Sequence, residues 1–103
     1  MFSMARQARE RSRSGIYHLM LRGINQQTIF EEDEDRYRFI KTLGCYKKTN
    51  NYSLYGYCLV NNHVHLLIRE CDESISQVIK RISSSYVYWY NHKYERSGHL
   101  FQD

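Results

Sequence analysis

Only Asn61 and Asn62 stand between two strongly apolar stretches, residues 52–60 and 63–69. So short a polar connection between strand-like runs makes an antiparallel hairpin the simplest fold for them. Successive side chains of a strand face opposite sides of a sheet. In His63-Val64-His65-Leu66-Leu67-Ile68, therefore, Val64, Leu66 and Ile68 turn to one face, the natural core side. His63 and His65 turn to the other, ~7 Å apart along the chain. Two imidazoles on the open face of a strand can close on one divalent cation. Such a pair is about as often no more than a set of hydrogen-bonded polar groups, and the spacing alone leaves both readings open.

The remaining elements follow in order. Residues 15–22 carry apolar side chains on both faces, which predicts a central strand covered on two sides. Tyr17, Leu19 and Leu21 share one face, and His18, Met20 and Arg22 the other. Residues 23–30 read as a polar loop, in which Asn25, Gln26 and Gln27 offer hydrogen bonds. Asp33 or Glu34 opens a helix whose acidic first turn suits the dipole. Phe39, Ile40, Leu43 and Tyr46 fall at helical spacing, Lys47 and Lys48 close the last turn, and Asn50-Asn51 is a turn signal. Ser74 caps a second helix, through about Lys93, with an apolar stripe of Ile75, Val78, Ile79, Ile82, Tyr86 and Trp89. Gly98 ends that region.

The order β-α-β-β-α lacks one strand of a βαββαβ unit. The expected fold is α+β and ferredoxin-like but incomplete, an antiparallel sheet with both helices on one face. His63, His65, His18 and Arg22 then sit on the uncovered face. His18 either supports the pair from behind or joins it as an occasional ligand, but a buried, hydrogen-bonded histidine is the expected reading. Arg22 either meets a phosphate or closes its strand.

The folded unit spans 15–103, behind a basic arm, 1–14, that carries Arg6, Arg9, Arg11 and Arg13. The arm reads as a solvated leader that can be laid on phosphates. Met4 offers an alternative start. The net charge of +4 favours a polyanionic partner. Cys45, Cys58 and Cys71 are an odd number without a CxxC pair, which points to reduced, partly buried thiols in a cytoplasmic protein. No apolar run approaches ~18 residues, so no membrane span is expected, and the N-terminus has no apolar signal core.

Three stretches together carry a resemblance. They are Gly-Ile-Tyr-His-Leu-Met-Leu-Arg-Gly, Tyr-Gly-Tyr-Cys-Leu-Val-Asn-Asn-His-Val-His-Leu-Leu-Ile, and Ser-Tyr-Val-Tyr-Trp-Tyr-Asn-His-Lys-Tyr-Glu-Arg-Ser-Gly-His-Leu-Phe-Gln-Asp. In this order, over residues 4–103, the chain resembles the single-tyrosine HUH transposases, which include the insertion-sequence and REP-associated tyrosine transposases. The resemblance implies a Mg²⁺ or Mn²⁺ ion on His63 and His65. It also implies nicking and rejoining of single-stranded or hairpin DNA by a tyrosine that forms a 5′-phosphotyrosine intermediate. In the REP-associated relatives that tyrosine, with a polar third metal ligand, lies on a helix that would fall beyond Asp103. The chain is therefore expected to stop short of its nucleophile.

Three tyrosines inside the chain compete for that role. Tyr86 reads as core and Tyr90 as the edge of the stripe. Tyr88 is left as the exposed candidate, on a helix that should cover the face away from the histidines. Two other functions compete as well. A histidine-triad nucleotide hydrolase needs a third alternating histidine, where this chain has Leu67. A non-catalytic module binding single-stranded nucleic acid needs only stacking aromatics and a basic arm. Apolar surface left open by a missing helix predicts association, in the simplest case a homodimer.

Overall fold

The turn at Asn61-Asn62 joins two antiparallel strands, as its length requires. The computed structural model describes residues 14–102, so Arg6, Arg9, Arg11 and Arg13 lie outside the described residues. The elements are β1 (Ile16–Arg22), α1 (Asp33–Asn50), β2 (Ser53–Val60), β3 (His63–Arg69) and α2 (Ile75–Lys93). The sheet order is β1-β3-β2, with both pairings antiparallel. The central strand is thus β3, which corrects the expectation for β1. Along β1 Tyr17, Leu19 and Leu21 are buried while His18 and Arg22 are exposed. Only the half-buried Met20 makes its outer face look apolar.

Local chemistry fixes both helices. Glu32 caps α1 in a reciprocal box with Asp35, and Asn51 ends it in the left-handed region at φ 53°, which asparagine tolerates. Ser74 caps α2, its Oγ accepting the Gln77 N–H at 3.3 Å. The Glu70 carboxylate accepts the Ile75 N–H at 2.8 Å. Both helices cover one face of the sheet. There Phe39 and Leu43 of α1 and the α2 stripe meet Tyr17, Leu19, Leu21, Val64, Leu66 and Ile68. The buried stripe of α2 ends on Tyr90, whereas Trp89 is only partly covered. Guanidinium and ammonium groups of Arg38 and Lys93 lie over the Trp89 ring instead.

Residues 23–30 are not simply a polar loop. Ile24–Gln26 form a 3-10 turn, and Ile29 and Phe30 are fully buried. Their N–H groups both donate to the Asn61 carbonyl, at 2.8 and 3.2 Å, and the Gly23 N–H donates to the Asn62 carbonyl at 2.9 Å. A side chain at Gly23 would put Cβ 2.1 Å from the Gln27 carbonyl oxygen, so only glycine fits this path. Leu100 and Phe101 also belong to the core. They lie against the end of β1, where the Ile24 N–H reaches the Leu100 carbonyl at 2.8 Å and the Gln102 N–H reaches the Arg22 carbonyl at 2.7 Å.

Candidate metal and nucleic-acid site on the open sheet face

The register decides which side chains share the uncovered face. His63 pairs with Arg22 on β1 and Val60 on β2, and His65 pairs with Met20 and Cys58. Leu67 pairs with His18 and Gly56. Directly opposed residues in a sheet point the same way. The three histidines, Arg22 and Cys58 therefore stand on one surface, away from both helices. The clamp of residues 23–30 on Asn61 and Asn62 holds the turn that launches His63. Arg36 of α1 adds a hydrogen bond to the Asn61 side-chain oxygen.

The imidazoles touch one another in sequence. The rings of His63 and His65 meet edge to face with centroids 4.9 Å apart. His18 Nε2 lies 3.1 Å from His65 Nδ1, and those two rings stack. His18 is exposed rather than buried, because β1 leaves its outer face uncovered. The His63 Nδ1 lies 2.8 Å from the Asn62 side-chain oxygen. An amide oxygen only accepts, so the His63 Nδ1 is the donor and its Nε2 is turned away from Asn62. Burial, with the charges of His63, His18 and Arg22 beside it, holds the His65 imidazole below its ordinary 6.5. It is neutral at pH 7, the state that can ligate a metal.

This donor set fits part of a divalent ion's shell. Two imidazoles bound to one ion at about 2.1 Å place their ring centroids on the order of 5 Å apart, the spacing His63 and His65 have. They supply nitrogen, while Mg²⁺ and Mn²⁺ also need oxygen. The single group of three or more metal-ligating side chains converging within 4.8 Å, among the described residues, lies elsewhere, at Glu32, Glu34 and Asp35. Lys93 Nζ sits 2.6, 2.6 and 2.7 Å from those three carboxylates. An ammonium already occupies the point on which those carboxylates converge.

The tyrosines are distributed away from the histidines. Tyr86 and Tyr90 are buried in the core, and Tyr88 is 78% exposed on α2, which packs on the opposite face of the sheet. One tyrosine does reach the open face. Tyr55, at a bulge between Leu54 and Gly56, lies beside Arg69 and raises the pKa of its guanidinium. Sequence alternation misses Tyr55, because an extra residue in a strand shifts the pattern. All three cysteines are exposed, not partly buried. A cavity of about 640 Å³ between α2 and residues 98–102 shares no lining residue with the histidine face.

The sequence model of one protein family, described as transposase IS200 like, matches residues 12–103. The chain belongs to the IS200-like transposase family. The comparison with curated protein sequences gave no match. Among solved structures, this transposase-family chain is similar to a REP-associated tyrosine transposase bound to a REP hairpin, with a TM-score of 0.69 at 12% identity. That match covers 96% of this chain and 58% of the other, so the chain spans little more than half of that relative's length. It is also similar to a protein from Deinococcus radiodurans R1 assigned as a transposase. There the TM-score is 0.65 at 14% identity, over 87% of this chain and 69% of the other. At such identities the likeness concerns the fold. Among the described residues no helix is long and apolar enough to cross a membrane.

Proposed function

We propose that the open sheet face is the DNA-holding and metal-holding part of a transposase that nicks and rejoins single-stranded or hairpin DNA. The observation that carries this reading is the His63–His65 pair, with His18 and Arg22 beside it, on the face that neither helix covers. With His65 Nδ1 donating to His18 Nε2, both His63 and His65 direct a lone pair from Nε2, and His18 sets the tautomer of its neighbour. A Mg²⁺ or Mn²⁺ ion held there supplies Lewis-acid polarisation of a phosphate oxygen. Arg22 is the nearest guanidinium in register and meets a neighbouring phosphate. Farther along the same face the exposed Tyr55 offers a flat ring on which an unpaired base stacks, and Leu67 adds apolar contact.

The same reading assigns the nucleophile to none of the tyrosines among residues 14–102. Those on the helices and in the core lie across the sheet from the imidazoles, Tyr57 pairs with the core-facing Leu66 on that same side, and Tyr55 lies toward the far end of the open face, at Arg69. Family membership and the REP hairpin held by the similar structure support DNA as the partner. A second reading, binding without cutting, is favoured by that absence of a tyrosine beside His63.

A labelled hairpin oligonucleotide with a single-stranded tail, in Mn²⁺, tests both parts. Fluorescence anisotropy should register binding that Arg22→Ala weakens about tenfold, the worth of one charge-assisted phosphate contact. A denaturing gel should show no protein–DNA adduct with the 103-residue chain. An adduct lost in Tyr88→Phe and kept in Tyr86→Phe would contradict the assignment of the nucleophile.

A further inference from the structure

The outer side of α2 has a composition of its own. At about 100° per residue, Gln77, Lys80, Arg81, Ser84 and Tyr88 fall on one stripe, opposite the buried stripe that ends on Tyr90. This stripe forms one wall of a groove of about 520 Å³, and Arg38 and Tyr46 of α1 form the other. A smaller hollow of about 330 Å³ carries the groove along α1 past Lys41. Every charged side chain lining either hollow is a cation. An ordinary solvated helix surface mixes both signs.

The cations differ in how they are held. Arg38 is fixed with its guanidinium 5.4 Å from the Trp89 ring centroid, and Arg81 is paired with Glu73. Among the described residues no salt bridge involves Lys80 or Lys41. At the end of the groove stands Tyr88, 78% exposed, supporting no part of the core. Cations beside an exposed aromatic, with hydroxyls between them, match the chemistry of a nucleic-acid single strand. Phosphates meet the lysines and arginines, and an unstacked base lies on the phenol ring. A duplex keeps its bases stacked and has no use for the ring.

We infer that the groove between α1 and α2 is a second binding path for single-stranded DNA, with Tyr88 as its stacking platform and Lys80 and Arg38 as phosphate contacts. It lies on the opposite side of the molecule from His63 and His65 and shares no residue with the sheet face. The inference rests on the DNA-binding reading above, but the two fail in different ways.

The test uses the full chain and a labelled oligothymidylate of about 16 nucleotides, followed by fluorescence anisotropy over a salt series. Tyr88→Ala should weaken binding about tenfold, while Tyr88→Phe keeps it. Lys80→Ala should lower the slope of log affinity against log salt by about 0.7. Circular dichroism should be unchanged in all three, since the substituted side chains are exposed. A blunt duplex of equal length should lose at most twofold in Tyr88→Ala. Absence of binding by the unaltered chain would overturn both readings. Binding that responds to Arg22→Ala but not to Tyr88→Ala or Lys80→Ala would overturn the groove alone. Equal losses on duplex and single strand would overturn the assignment of a single strand.

Discussion

Tyr86→Ala is expected to cost about 4 kcal/mol, within the range for truncating a buried aromatic. That is a large share of the roughly 5–15 kcal/mol that holds a domain folded. Tyr86 is fully buried, and its ring packs against Phe30, Phe39 and Phe101 at centroid distances of 5.6, 5.3 and 6.3 Å. Its hydroxyl donates to the Ile29 carbonyl at 2.6 Å. The damage should therefore reach the histidine turn, because Ile29 and Phe30 hold the Asn61 carbonyl. Tyr86→Phe keeps the ring and strands only the carbonyl, at about 1 kcal/mol. Urea denaturation followed by circular dichroism separates the two. Equal midpoints for Tyr86→Ala and the unaltered chain would show that this ring is not the keystone of the core.

The second large effect is electrostatic. Asp35 is a fully buried carboxylate that ties the start of α1 to the end of α2. It accepts from Lys93 Nζ at 2.7 Å, from the Tyr94 hydroxyl at 2.6 Å and from the Glu31 N–H at 2.7 Å. Removing it leaves a buried N–H and a phenol without their acceptor, and a cost of about 3 kcal/mol is expected for Asp35→Ala. Burial raises its pKa, but the bonds from Lys93, Tyr94 and the Glu31 and Glu32 N–H groups outweigh burial, and the net shift is downward from 3.8. A depressed carboxylate pKa stabilises the folded state above the unfolded value and loses that contribution as pH falls through the folded one. The unaltered chain should thus lose stability below about pH 4, and Asp35→Asn should be less stable at pH 7 with a flatter acid limb. Denaturant titrations at a series of pH values decide this. An acid limb as steep in Asp35→Asn as in the parent would assign the loss to other carboxylates.

Features set by local chemistry were legible in the sequence. The period-two run of β3 and its turn give the hairpin and the face of His63 and His65. Ser74 and the apolar stripe give α2 its bounds, Ile75–Lys93. What escaped depends on partners distant in the chain. Ile29 and Phe30 sit next to Asn-Gln-Gln and look like loop until Tyr86, 57 residues downstream of Ile29, packs on them. Tyr90 displaces Trp89 from the buried stripe because its hydroxyl reaches the Thr28 carbonyl at 3.1 Å and Glu31 at 3.0 Å. Strand order depends on which edge β3 leaves free, and β1 with Met20 on its outer face imitates a doubly covered strand. The contact between His18 and His65 needs the register of β1 on β3, which no periodicity contains. Tyr55 needs the bulge.

His63 and His65 are proposed to hold one divalent ion between them on the open sheet face. Titration calorimetry of Mn²⁺ into the full chain tests it without DNA and without turnover. Measurable binding is expected, weakened at least about tenfold by His63→Ala and by His65→Ala, with Tyr88→Ala as an unaffected control. Binding of equal strength in both histidine variants would contradict it.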